Sequence, residues 1–241
     1  MVFFGFKEGI PPPAPACHGA CLGPPWEHFG RDLHAAICPS ALFSMLTVTM
    51  TDQTSARTWL NPPTYWSETK ETLTETAPPG TDYWQVTHYG FIRDNGPFRY
   101  QEQTGNFEAK VRIAGKYQEL YHQAGLMIRI DDRNWIKAGI EFLNGKQSVS
   151  AVVTREFSDW SVLTCSDNPA FLWLRMQRYH DTVQVSYSRD NREWSMIRLA
   201  YFPPQVPVKI GMMAAAPGKE PLEVTFDHFS IGPLHSPPQE D

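Results

Sequence analysis

The stretch YHQAGLMIRIDDRNWIKAGIEFLNGKQSVSAVVTREFSDW, residues 121–160, decides the fold. Three of its segments alternate apolar with other residues, which is typical of half-buried β-strands. Between them lie Asp131–Asn134, with turn-forming side chains, and Asn144-Gly145, a strong hairpin signal. The stretch therefore predicts a three-stranded antiparallel meander. The residues on its core side are Ala124, Leu126, Ile128, Ile130, Ile136, Ala138, Ile140, Phe142, Val149, Ala151 and Val153.

Outside this meander, strand-like segments continue in both directions. They begin near Ala56 and end near Pro233, with turn signals every 8–12 residues or so and no helical period. Ser158–Ser161 is expected to be a loop after the third strand, with Asp159 bonding backbone N–H groups and Trp160 packing on the rim. We predict an all-β fold: a sandwich of two antiparallel sheets over residues 56–233.

Composition limits the possible partners. The chain has 241 residues, is 41% hydrophobic and carries a net charge of −5, so no basic field would attract nucleic acid or an anionic membrane. No window approaches the roughly 18 apolar residues of a membrane span. Aromatic residues make up 13% of the chain, with eight Trp. They either fill the core or line a binding groove, and composition leaves both open.

The two ends of the chain differ from the region between them. Residues 1–45 are interrupted by Pro11–Pro13, Pro24-Pro25 and other prolines, and we expect a disordered or loosely packed extension. Residues 234–241 are expected to form a polar tail. A start of translation at Met45 or Met50 is an alternative, because domain-like sequence begins only after them.

Cysteine usage gives a weak indication of the compartment. Three of the four cysteines, Cys17, Cys21 and Cys38, precede the patterned region, and only Cys165 lies within it. A disulfide framework is therefore not expected, which favours a reducing, cytoplasmic location. With His28 and His34, the first three could be imagined as a zinc site, but their spacing matches no standard zinc knuckle and we expect no metal.

Several linked motifs together resemble one known family. They are Gln123–Met127, Asn134–Glu141, Val152–Arg155, Ser158–Trp160, Tyr187-Ser188 and Val224–Phe229, in that order. In these the chain is similar to the concanavalin A-like family labelled regulation of enolase protein, a domain of unknown function, over about Trp59 to Pro233. The resemblance implies a jelly-roll sandwich of the concanavalin A-like lectin/glucanase type. His122 departs from the family, whose members usually carry Asp at this position.

No catalytic or cofactor-binding motif stands out. The chain lacks a nucleophile elbow, a P-loop and a zinc-protease motif, so no catalytic residue and no cofactor is predicted. A retaining glucanase of this fold type would need paired acids on one strand face, whereas Glu141 is the only acid on its own strand face. Asp94–Gly96 and Asp131-Asp132 could hold calcium, but ordinary turn chemistry explains them as well.

The polar side of the meander is the candidate binding surface. Alternation places Trp135, Lys137 and Glu141 on one strand face, and Gly139 between them would leave room above the sheet. Rings together with amide, ammonium and carboxylate groups suit a sugar. The alternative is that the rings form a second core layer and the charges form ion pairs. The candidate ligand-binding residues are Gln123, Arg129, Trp135, Lys137, Glu141, Trp173 and Arg175.

Two functional hypotheses follow from these features. The first is a non-catalytic module that binds a carbohydrate or sugar-like molecule, or a phosphorylated sugar near Lys137 and Arg129, and thereby regulates carbohydrate metabolism. The second, suggested by the family label, is a regulatory protein whose partner is another protein such as a metabolic enzyme. A glycoside hydrolase is a third and less favoured alternative.

Overall fold

The computed structural model describes residues 57–238. Within this range all the regular secondary-structure elements are β-strands. None of these residues therefore forms a helix that could cross a membrane. The strands are β1 Thr58–Leu60, β2 Trp66–Glu68, β3 Thr72–Ala77, β4 Tyr83–Gln85, β5 Ile92–Asp94, β6 Phe98–Gln103, β7 Phe107–Gly115, β8 Gln123–Arg129, β9 Asn134–Leu143, β10 Lys146–Arg155, β11 Phe157–Thr164, β12 Leu172–Tyr179, β13 Thr182–Ser188, β14 Ser195–Tyr201, β15 Val208–Ala215 and β16 Leu222–Pro233.

Fourteen of these strands form two antiparallel sheets. Sheet A has the order β1-β6-β15-β8-β9-β10-β11, and sheet B has the order β14-β13-β12-β7-β16-β3-β2. The predicted meander is confirmed as β8, β9 and β10, with Asn144 and Gly145 in the left-handed conformation between the last two. Two seven-stranded antiparallel sheets confirm the predicted all-β jelly-roll sandwich.

The main core lies between the two sheets. In the meander, Leu126, Ile128, Ile136 and Ile140 are all buried in it, as alternation predicts. Sheet B contributes buried residues such as Phe226, and the same period of two places their neighbours on the outer surface. Burial of one face of each sheet against the other fixes the register, because a slip by one residue would expose every core side chain.

A short hairpin adds a third layer on the outer face of sheet A. β4 and β5 pair only with each other in their own two-stranded sheet, and Tyr83 and Trp84 of β4 pack onto that outer face. Together with residues of sheet A they form a second apolar cluster: Tyr83, Trp84, Phe98, Met127, Trp135, Val152 and Met213. The hairpin covers one end of the outer face of sheet A, where the buried side chains form a second core. A cavity lies beside the hairpin on the same face.

Two local expectations are wrong. Ser158–Ser161 is not a loop but part of β11, which pairs with β10 along its whole length after a tight turn at Glu156. Asp159 does not bond loop N–H groups; one of its carboxylate oxygens lies 3.0 Å from Nη2 of Arg198 in β14. The expectations for residues 1–45 lie outside the described residues, as do the last three residues of the expected tail.

Candidate ligand-binding cavity

A cavity of about 300 Å³ lies over β8 and β9, beside the β4–β5 hairpin. Gly80, Pro217 and Arg93 complete its wall. Besides Arg93, four polar side chains line it: Asp82, Gln123, Lys137 and Glu141. Five aromatic side chains form most of its walls: Trp84, Tyr89, Phe91, Tyr121 and Trp160.

Lys137 is held by internal acceptors at the floor. Its Nζ atom donates to Oε1 of Gln123 at 2.5 Å and to the backbone carbonyl of Tyr83 at 2.7 Å. A carboxylate oxygen of Asp82 is 3.5 Å away. These three acceptors match the three N–H donors of an ammonium group, so Lys137 ties β9 to β4 and has little capacity left for a ligand.

The two carboxylate oxygens of Asp82 differ in their contacts: Oδ1 has partners within the protein, and Oδ2 has none among the described residues. Its Oδ1 accepts hydrogen bonds from the Tyr83 N–H at 2.7 Å and from Nε2 of Gln123 at 3.2 Å, besides the contact with Lys137. Within residues 57–238, no donor lies within hydrogen-bond distance of Oδ2. The side chain is 16% exposed, and it is therefore accessible from the cavity.

Glu141 is the second acid of the cavity and is only 7% exposed. Its Oε2 accepts a hydrogen bond from Nε1 of Trp160 at 3.0 Å, and the same N–H also contacts the Ser150 hydroxyl at 3.1 Å. Burial raises the pKa of Glu141 above its ordinary value, and the nearby Lys137 charge only partly opposes this. Glu141 is thus a buried carboxyl group in a cavity whose walls are mostly aromatic.

The loop between β4 and β5 closes the outer side of the cavity. The Tyr89 hydroxyl lies 3.2 Å from the Tyr121 hydroxyl on the opposite wall, and this bond raises the pKa of Tyr89 to about 12. Val86 and His88 have φ values of 60° and 64°, and each sits at the centre of a three-residue turn closed by a backbone hydrogen bond. Such turns are rare for residues with a side chain, especially a β-branched one. The loop therefore holds its rings at the cavity in a strained conformation.

Three of the seven predicted site residues, Gln123, Lys137 and Glu141, line this cavity. Arg129 and Trp135 share the same sheet face, but both lie beneath the hairpin. Arg129 forms a two-pronged ion pair with Asp94, at 2.5 and 2.8 Å, and Trp135 is fully buried with its N–H on the Asp132 carbonyl. The alternative to ligand binding that the sequence left open is a second core layer of rings together with ion pairs. Trp135 and Arg129 have this alternative arrangement: Trp135 belongs to the second core layer, and Arg129 forms an ion pair.

The placement of Trp173 and Arg175 on this surface is wrong. Both belong to β12 of sheet B, on the opposite outer face of the sandwich. There Trp173 lies against His228, with ring centroids 5.3 Å apart, and the Arg175 guanidinium lies over the Trp194 ring. Alternation correctly gives the outward direction of both side chains, but it carries no information on which sheet the strand joins.

Gly139 has a different role from the one predicted. A Cβ atom there would come within 2.0 Å of the Ala124 carbonyl oxygen and 2.7 Å of the Gly125 Cα atom. Gly125 and Gly139 face each other in the register of β8 and β9. The glycine therefore permits close approach of two backbones, not of a ligand.

His122, the departure from the family pattern, lies away from the cavity. It is fully buried, and its Nδ1 atom accepts from the N–H groups of Gln118 and Glu119 at 3.4 and 3.5 Å. Nε2 lies 3.0 Å from the Glu220 carbonyl, which requires the proton on Nε2. His122 thus pins two loops together behind the strand that carries Gln123.

The turns considered as calcium sites use their acids internally. Asp131 accepts hydrogen bonds from the Arg133 N–H and the Asn134 amide, and Asp94 pairs with Arg129. Among residues 57–238, no group of three or more His, Cys, Asp or Glu side chains is placed to hold a metal ion. Turn hydrogen bonds therefore engage Asp131, and the ion pair with Arg129 engages Asp94.

Most of the cavity wall is not visible from the strand pattern. Asp82, Trp84, Tyr89 and Phe91 come from the hairpin and its connections, and Tyr121 precedes β8. Their only sequence signal is an unusual density of aromatic residues between turn signals. Trp160 could have been found, because treating Ser158–Trp160 as a strand beside β10 places it next to Ser150.

The fold and the cavity define a class: a concanavalin A-like β-sandwich with a ring-lined cavity on one outer sheet face. Residues 59–234 match the family described as "Protein of unknown function (DUF1349)". The chain belongs to this family.

Known proteins agree with this assignment. "Regulation of enolase protein 1" of Saccharomyces cerevisiae is 40% identical over 177 residues, which are 73% of this chain and 89% of that protein. A crystal structure of a functionally unknown protein from Saccharomyces cerevisiae matches with a TM-score of 0.73 and 38% identity, covering 76% of this chain and 98% of that one.

More distant structures share the fold alone. The GH43 protein BlXynB from Bacillus licheniformis, as its K247S mutant, matches with a TM-score of 0.60 at 14% identity, over 74% of this chain and 37% of that one. At this level of identity the match concerns the sandwich and carries no information about the cavity.

Proposed function

We propose that the protein is a non-catalytic module that binds a carbohydrate or sugar-like molecule in the cavity over β8 and β9. The observation that carries the proposal is the combination of five aromatic walls with an amide and two carboxyl groups in one space of about 300 Å³. Aromatic rings pack against the C–H faces of a sugar, while the polar groups accept and donate hydrogen bonds to its hydroxyls. The volume is at the lower end of small-molecule sites and suits one or two sugar rings.

The test is a thermal-shift panel of mono- and disaccharides on the full chain, since a ligand that binds only the folded state must raise its melting temperature. Tyr89→Ala removes a cavity wall from a loop side chain that is 43% exposed, so the fold should persist. Tyr65→Ala is the matched control, because Tyr65 is 72% exposed and lies outside the cavity. The proposal requires a sugar-induced shift that Tyr89→Ala abolishes and Tyr65→Ala keeps; a panel without any shift contradicts it.

A second candidate is a regulatory role through a protein partner. The name of the yeast relative supports it, together with an apolar surface on the side where both sheets end in long edge strands. On β11 and β14, Val162, Leu163, Met196, Leu199 and Tyr201 are all exposed. If this surface binds enolase, the wild-type chain should capture purified enolase and the double variant Leu163→Lys, Leu199→Lys should not. Capture that the double variant leaves unchanged, or no capture by the wild type, argues against this candidate.

We also propose a cytoplasmic location. The support is that Cys165, in the described part of the chain, is a free thiol. Fractionation of cells that express the tagged chain tests the location; a secreted product contradicts it.

A further inference from the structure

The cationic groups near the cavity are already engaged. Lys137 contacts three internal acceptors, and Arg129 is paired with Asp94 under the hairpin. Arg93 is the remaining cation of the cavity wall; it lies at the exposed rim with its guanidinium over the Phe91 ring, 5.4 Å from the centroid. A phosphate or carboxylate on the ligand would therefore meet no unpaired cation at the cavity floor.

The acidic groups show the opposite arrangement. Oδ2 of Asp82 has no donor within the described chain, and Glu141 is a buried carboxyl group that accepts a hydrogen bond from the neutral Trp160 N–H. A buried carboxyl group without a closely bound cation is costly to ionise, and a cationic ligand would remove that cost. The floor of the cavity is thus short of positive charge.

The aromatic walls also favour a positively charged ligand. Trp84 and Tyr89 meet edge to face at 5.5 Å, and Tyr89 and Phe91 stack at 5.6 Å, so the loop presents a continuous aromatic surface. Trp160 and Tyr121 add rings from the other side. Ring faces attract a positively charged group, and aromatic walls with a nearby carboxylate are the usual way in which proteins bind ammonium ligands.

We infer that the cavity selects an amino sugar, whose ammonium group contacts the carboxyl groups of Asp82 and Glu141 while its ring packs on the aromatic walls. This inference rests on the proposed function and narrows it to one ligand class. It excludes phosphorylated sugars, which the sequence alone left open. It assigns Glu141 the role of charge selection and Lys137 the role of positioning Gln123 and Asp82.

Calorimetry on the full chain tests the inference at about pH 6.5, where an amine is protonated. The titrants are glucosamine, galactosamine and mannosamine, their parent hexoses, their N-acetyl derivatives and glucose 6-phosphate. We expect at least one aminohexose to bind about tenfold more tightly than both its parent and its N-acetyl derivative. If the neutral sugars bind as tightly as the aminohexoses, or if glucose 6-phosphate binds more tightly than they do, the inference is overturned and the proposed function is left intact. Binding of no hexose contradicts both.

Glu141→Gln provides the matched variant, because the amide keeps the shape and an oxygen for the Trp160 N–H. It should lose the preference for the amine, so that the ratio of aminohexose to parent-hexose affinity falls from about tenfold to about one. Glu102→Gln is the control, since Glu102 is an exposed acid on β6 of the same sheet outside the cavity. If Glu141→Gln does not fold, Asp82→Asn removes the other acid of the cavity and should reduce the preference for the amine; an unchanged preference in that variant overturns the inference. Retention of the preference in a folded Glu141→Gln variant overturns the role of Glu141.

Discussion

The Nζ atom of Lys137 lies 2.5 Å from Oε1 of Gln123, so the two polar residues central to the cavity floor are bound to each other across neighbouring strands. Gln123 in turn donates from Nε2 to Asp82 at 3.2 Å, and Asp82 contacts Lys137. The three side chains form a closed ring of contacts that joins β8, β9 and the segment before β4. This arrangement makes the cavity floor part of the folded structure and not a set of independent ligand contacts.

Lys137→Met should therefore destabilise the protein. The variant leaves Asp82, the Gln123 amide oxygen and the Tyr83 carbonyl without their common donor. Breaking one partner of a buried ion pair costs 3–5 kcal/mol in general, and we expect about 3 kcal/mol here because Asp82 is partly exposed. Urea denaturation measures the loss. Lys116→Met is the control, since the Lys116–Glu223 pair has side chains that are 66% and 50% exposed. A loss for Lys137→Met no larger than that of the control would show that the ammonium is free for a ligand.

Trp160→Phe isolates the N–H donor at the other end of the floor. A smaller aromatic ring remains, but Glu141 and Ser150 lose the bond to Nε1, and we expect a loss of about 1–2 kcal/mol in unfolding free energy. The pKa of Glu141 should rise further, because a hydrogen bond to its charged form disappears. Carboxyl NMR titration and urea denaturation report the two effects. Trp66→Phe, at a ring that is 44% exposed, should change stability by less than about 0.5 kcal/mol. An unaltered Glu141 titration in Trp160→Phe would contradict the bond.

The sequence predicted the sandwich because alternation and turn residues act over a few positions. Leu126, Ile136 and Val149 reveal which side of each strand is buried without any knowledge of the strand's neighbours. The cavity depends on long-range pairing instead: Trp173 looks equivalent to Trp135 in the local pattern, yet the two lie on different sheets. The hairpin of β4 and β5 converts Trp135 from a surface ring into a core ring, and nothing within its strand indicates that cover.

Gly139→Ala tests the close approach of β8 and β9. The added methyl would meet backbone atoms on the facing strand, 2.0 Å from the Ala124 oxygen, and backbone cannot move aside as a flexible side chain can. We expect a loss of at least about 3 kcal/mol, or no folded protein. Gly232→Ala is the matched control, because no atom lies within 4 Å of the added Cβ there. Folded Gly139→Ala protein with a loss below about 1 kcal/mol would rule out the close approach.

Glu75 gives the protein a stability that depends on pH. It lies on the same face of β3 as the buried Leu73 and Ala77, so its side chain faces the core, and within residues 57–238 neither carboxyl oxygen has a hydrogen-bond donor. Burial raises its pKa from 4.5 to about 8. The folded state therefore keeps the proton at pH values where the unfolded chain has lost it.

The sign follows directly from this difference. Below about pH 4.5 both states hold the proton and Glu75 has no effect on the pH dependence; between about 4.5 and 8 only the unfolded state ionises, so stability falls as the pH rises. With about 1.4 kcal/mol per pKa unit, the loss attributable to Glu75 is at most about 5 kcal/mol at pH 8. Glu75→Gln removes the ionisable group while keeping its size, so its unfolding free energy relative to wild type should increase steadily over this interval.

Urea denaturation of wild type and Glu75→Gln at several pH values from about 5 to 8 measures that difference. A constant offset is expected because a buried amide also lacks partners, so the slope with pH is the quantity to compare. Glu71→Gln, at an exposed position before the same strand, controls for the loss of one acid and should show no such slope. A difference between Glu75→Gln and wild type that stays flat from pH 5 to 8 would mean that Glu75 titrates normally, and hence that its carboxyl group reaches water or a donor in the folded protein.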